Sequence, residues 1–505
     1  MGWDERKFSR REFLKKSALV SAGIVLSSSS TALFSGCGYQ SDWKGISFSR
    51  LLLHNFKLFN GLENRLQEGL MLIVEGGMIK HVDRATDFAE FRDYKIFDLK
   101  GQTLMPGLID NHVHLTVPFM FKINASSIKQ MNQQIVNNFR SCVMGGVTTV
   151  RDVGGFPGKI KKFRNLSDKN LIPGPRVISS LSPIAARKGD LLGPPEQAPY
   201  ITNEVIKWLL GGNYAERPQT VEEIREASER MVSLGAQLLK TLHQEHSYYP
   251  RPLPNHTDEG YRAILEIGRK HGLKCALHEP LISGFIKGVD LGFDTLEHMP
   301  MDALIPEPYI EKFIKQGMAI MPTLMVYGNI FQEEAVLHFI ETRDRKDLVP
   351  EAEEQIKTKL KESLMNSKRQ MSPDERKALI ADRQYIMDMH PSMIKNLQRL
   401  HRMGAVIGAG TDMGGSFNAI FGRFNDEIRR YIDGGISNFD ALRMATSVNA
   451  KILQMGDKIG SIKNGAYADL IAINGNPLAD IRVLENIRMV MKGGVFIKAE
   501  GLPTA

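Results

Sequence analysis

The middle of the chain alternates short apolar runs with longer amphipathic stretches. The apolar runs have the length of strands, and the stretches between them, such as 220–233 and 259–271, place apolar residues at helical spacing. The predicted strands are 107–115, 146–152, 176–180, 237–242, 273–277, 295–298, 319–324 and 405–410. Eight strands that alternate with helices over about 330 residues predict a (β/α)8 TIM barrel, an α/β fold that reaches this size as one domain. An open doubly wound sheet is the alternative, but no G-x-G-x-x-G follows the first strand.

Both ends of the mature chain have a different texture, with short strands of period-two alternation and glycine-rich turns. The predicted strands here are 51–55, 70–74, 468–473 and 489–491, with turns at 75–77, 474–477 and 492–494. Two β-rich ends around a different middle predict one small β-sandwich domain. It would consist of residues 46–105 and 456–501, and the barrel would span 106–455.

One segment interrupts the alternation of strands and helices. Residues 331–399 form a long, charge-rich run with helical character. Its charges describe mainly a solvated face, and the segment is predicted to be a helical insertion in the barrel domain. A lid over the mouth of the barrel is the less favoured alternative.

Composition and charge exclude several classes of protein. The chain has 505 residues, of which 42% are hydrophobic and 24% charged, the balance of a globular protein with a large core. No stretch beyond the N-terminus approaches the roughly 18 apolar residues of a membrane-spanning helix. The formal net charge is +8 and no long run of like charges occurs, which is poor support for nucleic-acid binding.

The first 37 residues have the features of an export signal. Ser9-Arg10-Arg11-Glu12-Phe13-Leu14-Lys15 precedes a short, serine-rich apolar stretch, and Leu33-Phe34-Ser35-Gly36-Cys37 follows it. The paired arginines resemble a twin-arginine signal, and the end resembles a lipoprotein processing site. We therefore expect the twin-arginine export machinery to be a partner and the protein to be periplasmic or on the cell surface. A lipid anchor at Cys37 would be its contact with the membrane, and cleavage after Ala32, which gives a soluble product, is the alternative.

Cysteine usage agrees with folding before export. Without Cys37, the chain retains only Cys142 and Cys275, both in apolar runs. Two buried thiols are not a disulfide framework.

Metal-binding side chains recur where the predicted barrel strands end. In a barrel of this type, functional side chains lie at the C-terminal ends of the strands. The residues found there are His112, His114, Lys240, His278, His298 and Asp412. Each alone has an ordinary explanation, since a histidine that ends a strand is usually a hydrogen-bonded core residue. Their joint placement instead predicts a site for divalent metal.

The sequence resembles the amidohydrolase superfamily, in its prolidase-like and imidazolonepropionase-like branch. The resemblance covers nearly all of the mature chain, and the segments that carry it are 98–101, 106–114, 145–152, 297–298, 410–412, 441–446 and 460–470. The combination of these segments is specific, whereas the H-x-H or the Gly-Thr-Asp alone would be weak.

The resemblance implies two divalent metal ions, with zinc as the expected metal. His112, His114 and Asp412 would bind one ion and His278 and His298 the other, and a CO2-derived carbamate on Lys240 would bridge them. A bridging hydroxide would attack the substrate. Asp412 would take its proton and pass it to the leaving nitrogen.

This leads to three functional hypotheses. The first is an amidohydrolase that cleaves a C–N bond of a small molecule, such as a dipeptide with C-terminal proline, another N-acyl amino acid or a cyclic amide. The second uses the same site on esters, lactones or phosphotriesters, and the third is a non-catalytic, ligand-binding lipoprotein.

Two loops depart from the pattern of that branch and leave the substrate open. Residues 186–190 stand where a Gly-Gly-His is common, and 243–249 stand where a Ser-Gly-Gly turn is common. His243 and His246 are predicted to belong to a polar loop, with a role as extra ligands or substrate contacts as the alternative.

Overall fold

The computed structural model describes residues 43–117, 125–187, 212–245, 253–329, 340–341, 353–354, 356–358, 391–414 and 420–500. The chain from Gly45 to Ala505 forms one compact unit. The predicted export signal and most of the predicted 331–399 insertion lie outside the described residues, and the part of the insertion from residue 391 onward is helical.

Eighteen strands are present in the described part of the chain. The N-terminal strands are β1 (Ile46–Ser47), β2 (Arg50–His54), β3 (Lys57–Leu58), β4 (Leu70–Glu75), β5 (Met78–Arg84), β6 (Lys95–Asp98) and β7 (Thr103–Pro106). The central strands are β8 (Leu108–Val113), β9 (Val147–Asp152), β10 (Arg176–Ser179), β11 (Leu238–Leu242), β12 (Lys274–His278), β13 (Thr295–Glu297), β14 (Ala319–Met321) and β15 (Val406–Ile407). The C-terminal strands are β16 (Leu470–Ile473), β17 (Ile487–Lys492) and β18 (Val495–Ala499).

The helices lie mainly between the central strands, as the alternating pattern predicts. They are α1 (Ala125–Met144), α2 (Pro157–Asp168), α3 (Val221–Ser233), α4 (Asp258–Lys270), α5 (Ile282–Leu291), α6 (Glu307–Lys315), α7 (Leu324–Asn329), α8 (Phe424–Asp433), α9 (Asn438–Arg443) and α10 (Asn449–Ile452). Side chains cap several of them; Thr220 accepts a hydrogen bond from Glu223 N at the start of α3, and Thr257 accepts one from Gly260 N at the start of α4.

The central strands form two parallel sheets, which gives the mixed α/β content that the sequence predicts. Strands β8, β9 and β10 make one sheet, and β11 to β15 make the other. Isolated parallel bridges occur beyond two strand ends, from Ile184, which follows β10, to Thr241 in β11, and from Val113 in β8 to Met413, which follows β15. Beside the second bridge, Asn449 of α10 donates hydrogen bonds to Ile109 O (2.6 Å) and Ala409 O (2.7 Å). One buried side chain thus links β8 to the segment that follows β15.

Several strands end earlier than predicted, and β13 and β14 show why. β13 stops at Glu297 because His298 adopts φ 84°, and β14 stops at Met321, shortly before Thr323 at φ 48°. Left-handed backbone at a residue with a side chain is uncommon, and at a β-branched residue such as threonine it is a genuine outlier. The residues after these strands therefore turn away from the ladder.

Both chain ends contribute to a pair of mainly antiparallel sheets. The six-stranded sheet has the order β1-β18-β17-β16-β7-β3, and the four-stranded sheet has the order β5-β4-β2-β6. The two sheets share one hydrophobic cluster, in which Leu53 and Leu72 of the smaller sheet pack with Leu470 and Met491 of the larger. β7 leads directly into β8, so this cluster lies next in sequence to the first histidines of the predicted metal site.

Two further observations concern the sequence predictions. Cys142 and Cys275 are free and buried. Among the described helices, none combines the length and the apolar character needed to cross a membrane.

Candidate metal centre

Four of the predicted site residues lie within one residue of the C-terminal ends of parallel strands, namely His112, His114, His278 and His298, whereas Lys240 lies in the middle of β11 and Asp412 follows β15 by five residues. Each of the six is buried, with at most 8% of its surface exposed. The tightest group consists of His112, His298 and Asp412, whose ligand atoms lie within 4.8 Å of one another. His112 and Asp412 belong to the ligand set predicted for one metal ion and His298 to the set predicted for the other. The ring centroids of His112 and His298 are 4.9 Å apart, so the two sets are adjacent.

We call His112, His114 and Asp412 the aspartate half of the site. Asp412 Oδ1 lies 3.4 Å from His112 Nε2 and 3.1 Å from His114 Nε2. Glycine at position 410 permits this approach, since a Cβ there would lie 2.7 Å from His112 Cβ. Asp412 itself has left-handed backbone, with φ 57°, which follows from the turn after the last strand.

We call Lys240, His278 and His298 the lysine half. His298 Nε2 lies 2.7 Å from His278 Nδ1, so the two rings meet through one nitrogen each. Lys240 is 3% exposed, and its Nζ has no hydrogen-bond partner among the described residues. A buried ammonium without a partner is costly. This lysine is therefore the least satisfied member of the site.

In the aspartate half, an acceptor determines which nitrogen of each ring carries the proton. His112 Nδ1 donates to Glu297 Oε2 (2.8 Å), and His114 Nδ1 donates to Gly154 O (2.8 Å). Both Nε2 atoms are then left to face Asp412. A lone pair that faces a carboxylate oxygen is repulsive, so a proton or a cation must lie between them.

A buried ion pair between Arg151 and Glu297 supports the orientation of His112. Arg151 on β9 donates to both carboxylate oxygens of Glu297, at 2.7 Å each. The same guanidinium donates to Asn111 O (2.6 Å) and to Thr295 Oγ1 (3.1 Å). Because both charged side chains are almost fully buried, their mutual attraction is weakly screened.

Neutral groups support the lysine half. Thr323 Oγ1 lies 2.6 Å from His298 Nδ1, and Gln244 Oε1 accepts from His278 Nε2 (3.0 Å). The remaining nitrogens, Nδ1 of His278 and Nε2 of His298, are the two that face each other. All four histidines thus use one nitrogen for support and present the other to the site, an arrangement typical of metal-ligating histidines.

The electrostatic environment differs between the halves. Burial, together with the nearby Lys240 cation, holds the pKa of His278 well below its ordinary value, and burial with neighbouring rings does the same for His298. In the aspartate half, burial acts to raise the pKa of Asp412, but the contacts with His112 and His114 hold it well below the usual range. Burial acts to lower the pKa of His114, but Asp412 raises it, so in the absence of a cation a proton is favoured between these two groups. Neutral imidazole and ionised carboxylate are the protonation states in which these groups bind metal.

These residues fit a divalent metal site. Four imidazole nitrogens and a carboxylate are the donor types that zinc and similar ions prefer. A cation would remove the repulsion between each Nε2 lone pair and Asp412. The donor chemistry therefore supports binding of metal here.

Sequence reasoning did not assign a role to the supporting residues Arg151, Glu297, Thr323 and Gln244. Arg151 and Glu297 lie within runs that the sequence analysis singled out, so an arginine and a glutamate inside buried strands were available signals. Thr323 and Gln244 lie just beyond strand ends and carried no comparable signal.

The polar loop after β11 lies only partly within the described residues. His243 Nδ1 lies 3.1 Å from Tyr261 Oη. His243 is not part of the group that His112, His298 and Asp412 form. Since Tyr261 Oη donates to Leu242 O (2.8 Å), His243 Nδ1 is the donor to Tyr261. His246 and residues 188–190 lie outside the described part of the chain.

Comparison with known proteins places this geometry in context. The sequence model of the amidohydrolase family matches residues 103–497. The ochratoxinase of Aspergillus niger is 23% identical over 420 residues, which cover 79% of this chain and 76% of that protein. Among solved structures, a Xaa-Pro dipeptidase with bound methionine in the active site has a TM-score of 0.67 and 22% identity, over 89% of this chain and 100% of that chain. Molinate hydrolase has a TM-score of 0.67 and 17% identity, over 90% and 95% of the two chains. These similarities show a shared fold.

Proposed function

The chain belongs to the amidohydrolase family, and on that premise we propose that it is a binuclear metal-dependent hydrolase that cleaves a C–N amide bond of a small molecule. The observation that carries the proposal is the convergence of His112, His114, His278 and His298 on Asp412 and Lys240, each ring with one nitrogen supported and one presented. The aspartate half would hold one ion and the lysine half the other.

The protein's own groups would divide the work as follows. Bound metal ions would polarise the substrate carbonyl and lower the pKa of a water molecule. Asp412 is ionised, so its carboxylate can accept the proton of the attacking water and later deliver it to the leaving nitrogen. The histidines hold their orientation through Glu297, Gly154, Thr323 and Gln244 and do not exchange protons in this scheme.

We propose that Lys240 carries a carbamate. Burial lowers the pKa of Lys240 to about 8. Roughly a tenth of the amine would then be neutral at pH 7, compared with far less than a hundredth for an ordinary lysine. Only the neutral amine can form the N–C bond with CO2, with loss of a proton. The resulting anion would replace an unpartnered cation with an oxygen ligand for the two metals.

The proposal extends to the architecture. The two parallel sheets would form one (β/α)8 barrel, supported by the bridges at Ile184–Thr241 and Val113–Met413. The two sheets built from both chain ends would form a β-sandwich, supported by their shared hydrophobic cluster.

The preferred substrates would be N-acyl amino acids, including dipeptides with C-terminal proline. The support is the similarity in fold to a Xaa-Pro dipeptidase and the match to an ochratoxinase. Substrate preference depends on loops at the mouth, and the loops of this chain differ from the usual pattern of that branch. We therefore propose only the type of bond, a C–N amide bond, and the preference for substrate side chains is to be measured with a panel of substrates.

The test is a substrate panel on protein stripped with a chelator and reloaded with zinc in the presence of bicarbonate. The panel contains Xaa-Pro dipeptides, other N-acyl amino acids, lactones, activated esters and phosphotriesters, with Asp412→Asn as the inactive control. We expect amide hydrolysis that needs metal and is lost in the control. Hydrolysis of lactones, esters or triesters by the two-metal protein, with every amide left intact, would overturn the proposal.

We also propose that residues 1–37 direct export through the twin-arginine route and leave the mature protein periplasmic or at the cell surface. The support is the motif around Arg10 and Arg11. Replacing both arginines with lysine should leave an active enzyme in the cytoplasm, as measured by cell fractionation. Undiminished export of this double variant would contradict the proposal, and labelling with a radioactive fatty acid would distinguish lipidation at Cys37 from cleavage after Ala32.

A further inference from the structure

The loop after β11 places an amide side chain against a metal-site histidine. Gln244 is 4% exposed, and its Oε1 accepts a hydrogen bond from His278 Nε2 at 3.0 Å. The two residues belong to different elements, since Gln244 follows β11 and His278 ends β12. The contact therefore depends on the fold of the loop.

This contact decides which nitrogen of His278 is presented to the site. An amide oxygen only accepts, so the ring proton must lie on Nε2. Nδ1 is then unprotonated, and it is the nitrogen that lies 2.7 Å from His298 Nε2. A ring with the opposite tautomer would present an N–H to the metal position and could not bind there.

A second amide holds Gln244 in place. Asn255 Oδ1 accepts from Gln244 N (2.8 Å), and Asn255 Nδ2 donates to Gln244 O (3.1 Å). This clamp fixes both polar groups of the Gln244 backbone. A ladder bond from His243 N to His278 O (2.9 Å) fixes the preceding residue relative to the same histidine. The side chain of Gln244 thus starts from a backbone position that is set on both sides.

Two other roles are conceivable for Gln244, namely to fill space or to hold the loop, and the geometry favours neither. A residue that only fills space needs no acceptor aimed at a ring nitrogen, and a residue that only holds the loop needs its backbone clamp but not its side chain. The short side-chain contact at 3.0 Å is additional to the clamp. It supplies the support that Thr323 supplies to His298 in the same half.

We propose that Gln244 is a positioning residue that fixes the tautomer and the orientation of His278, with Asn255 as the clamp that positions Gln244. The inference rests on the proposed two-metal site. Its consequence is that the affinity of the lysine half for metal depends on the fold of the loop after β11.

The test compares zinc affinity in Gln244→Leu, Gln244→Glu and Asn255→Ala. Leucine keeps the approximate volume but removes the acceptor, whereas glutamate keeps an acceptor and strengthens the hydrogen bond. Metal-free protein with bicarbonate is titrated with zinc against a chelator of known affinity. Gln398→Leu is the matched control, because Gln398 also uses its side-chain amide in one hydrogen bond, but donates it to Gly434 O at the C-terminal end of α8 rather than to a histidine.

We expect Gln244→Leu to weaken one of the two zinc equivalents by roughly 10- to 100-fold, the usual effect of losing a partner of a ligating histidine. The other equivalent should be unchanged, and excess zinc should restore turnover. Gln244→Glu should retain or exceed the wild-type affinity, and Asn255→Ala should weaken the same equivalent by a smaller factor. The absorption spectrum of the cobalt-substituted protein should change in Gln244→Leu and not in Gln398→Leu.

The outcomes separate this inference from the proposed function. Wild-type protein that binds no zinc would overturn both. Wild-type protein that binds two equivalents, with unchanged affinity in Gln244→Leu and Asn255→Ala, would overturn the role of Gln244 alone. Should Gln244→Leu fail to fold, unchanged affinity in Asn255→Ala overturns the role by itself. Equal weakening by leucine and glutamate would assign Gln244 to packing and would also overturn it.

Discussion

The two halves of the candidate metal centre are built from similar ligands but supported in different ways. In the aspartate half, charged groups provide the support, because Asp412 lies beside two rings and Glu297, paired with Arg151, holds His112. In the lysine half, a hydroxyl and an amide provide it, and Lys240 has no partner among the described residues. The aspartate half is therefore stabilised mainly by internal charges, whereas the lysine half relies on neutral groups and, in the proposed function, on the carbamate and the metal ions.

The largest effect should come from Lys240→Ala. Loss of the bridging anion would leave two cations facing each other, so activity should fall to background and one metal equivalent should be lost. Zinc analysis and turnover measure both, and short carboxylic acids should restore part of the rate. Lys159→Ala is the matched control, because burial also lowers the pKa of Lys159 to about 8, but its Nζ donates to Asn132 Oδ1. Lys240→Ala protein that keeps both metals and full turnover would contradict the carbamate.

The next effect concerns the charged support of the aspartate half. Arg151→Met would leave Glu297 as an uncompensated buried charge, which should cost about 3–5 kcal/mol of unfolding free energy. The double variant Arg151→Met, Glu297→Leu should recover much of the stability but not the metal affinity, because His112 would still lack its acceptor. Denaturant unfolding of the metal-free proteins measures the first quantity. A single variant as stable as wild type would show that the ion pair is not what holds this half.

Arg151→Met should also change how the free energy of unfolding depends on pH below neutrality. Burial acts to raise the pKa of Glu297, but Arg151 holds it well below the ordinary value. Its contribution to stability is therefore present above the unfolded pKa of roughly 4.3 and is lost only as the pH falls through the lower folded pKa. Without Arg151, burial should raise the folded pKa above the unfolded value, which reverses the sign. The cost of the buried Glu297 charge in the variant should be present at neutral pH and should be relieved as the pH falls and the carboxylate is protonated. Thermal unfolding between pH 4 and 7 measures the shift, and coinciding profiles would argue against it.

A smaller effect is expected for the proton-transferring group. Asp412→Asn keeps the shape and one oxygen ligand but cannot accept a proton. Metal content should fall little while kcat falls on the order of a hundredfold or more. His278→Ala, in the other half, should lose metal and rate together, and added zinc should restore part of both. Amides should suffer more than activated esters in Asp412→Asn, and equal losses would mean that Asp412 is only a ligand.

The smallest effect should come from the neutral support of the lysine half. Thr323→Val removes the hydroxyl that lies 2.6 Å from His298 Nδ1. The zinc affinity of one equivalent should fall about tenfold, the lower end of the range for such partners, and Thr323→Ser should restore it. Chelator competition measures the change. If valine and serine behave alike, the hydroxyl has no role and the two halves differ less than their hydrogen bonds suggest.

The positions of the parallel strands were predictable, but their ends were not. Apolar runs at 237–242 and 273–277 correspond to β11 and β12 within one residue at each end. By contrast, the predicted strand 405–410 contains ladder pairing only at β15, and β13 and β14 end early, before His298 and Thr323 in left-handed backbone. Hydrophobic pattern reports burial, which a strand and the residues just beyond it share, so it does not locate the turn.

The sequence by itself was enough to select the candidate side chains of the site, because the selection used local rules. Strand alternation, the position of His112 near the end of its strand and the position of Lys240 inside an apolar strand depend on a few neighbouring residues. Which nitrogen of each histidine faces the site was decided only by the tertiary structure. The acceptors come from distant parts of the chain, since Glu297 lies 185 residues from His112 and Gln244 lies 34 residues from His278. A tautomer is set by the partner that folding brings to the other side of the ring, and no local pattern encodes that partner.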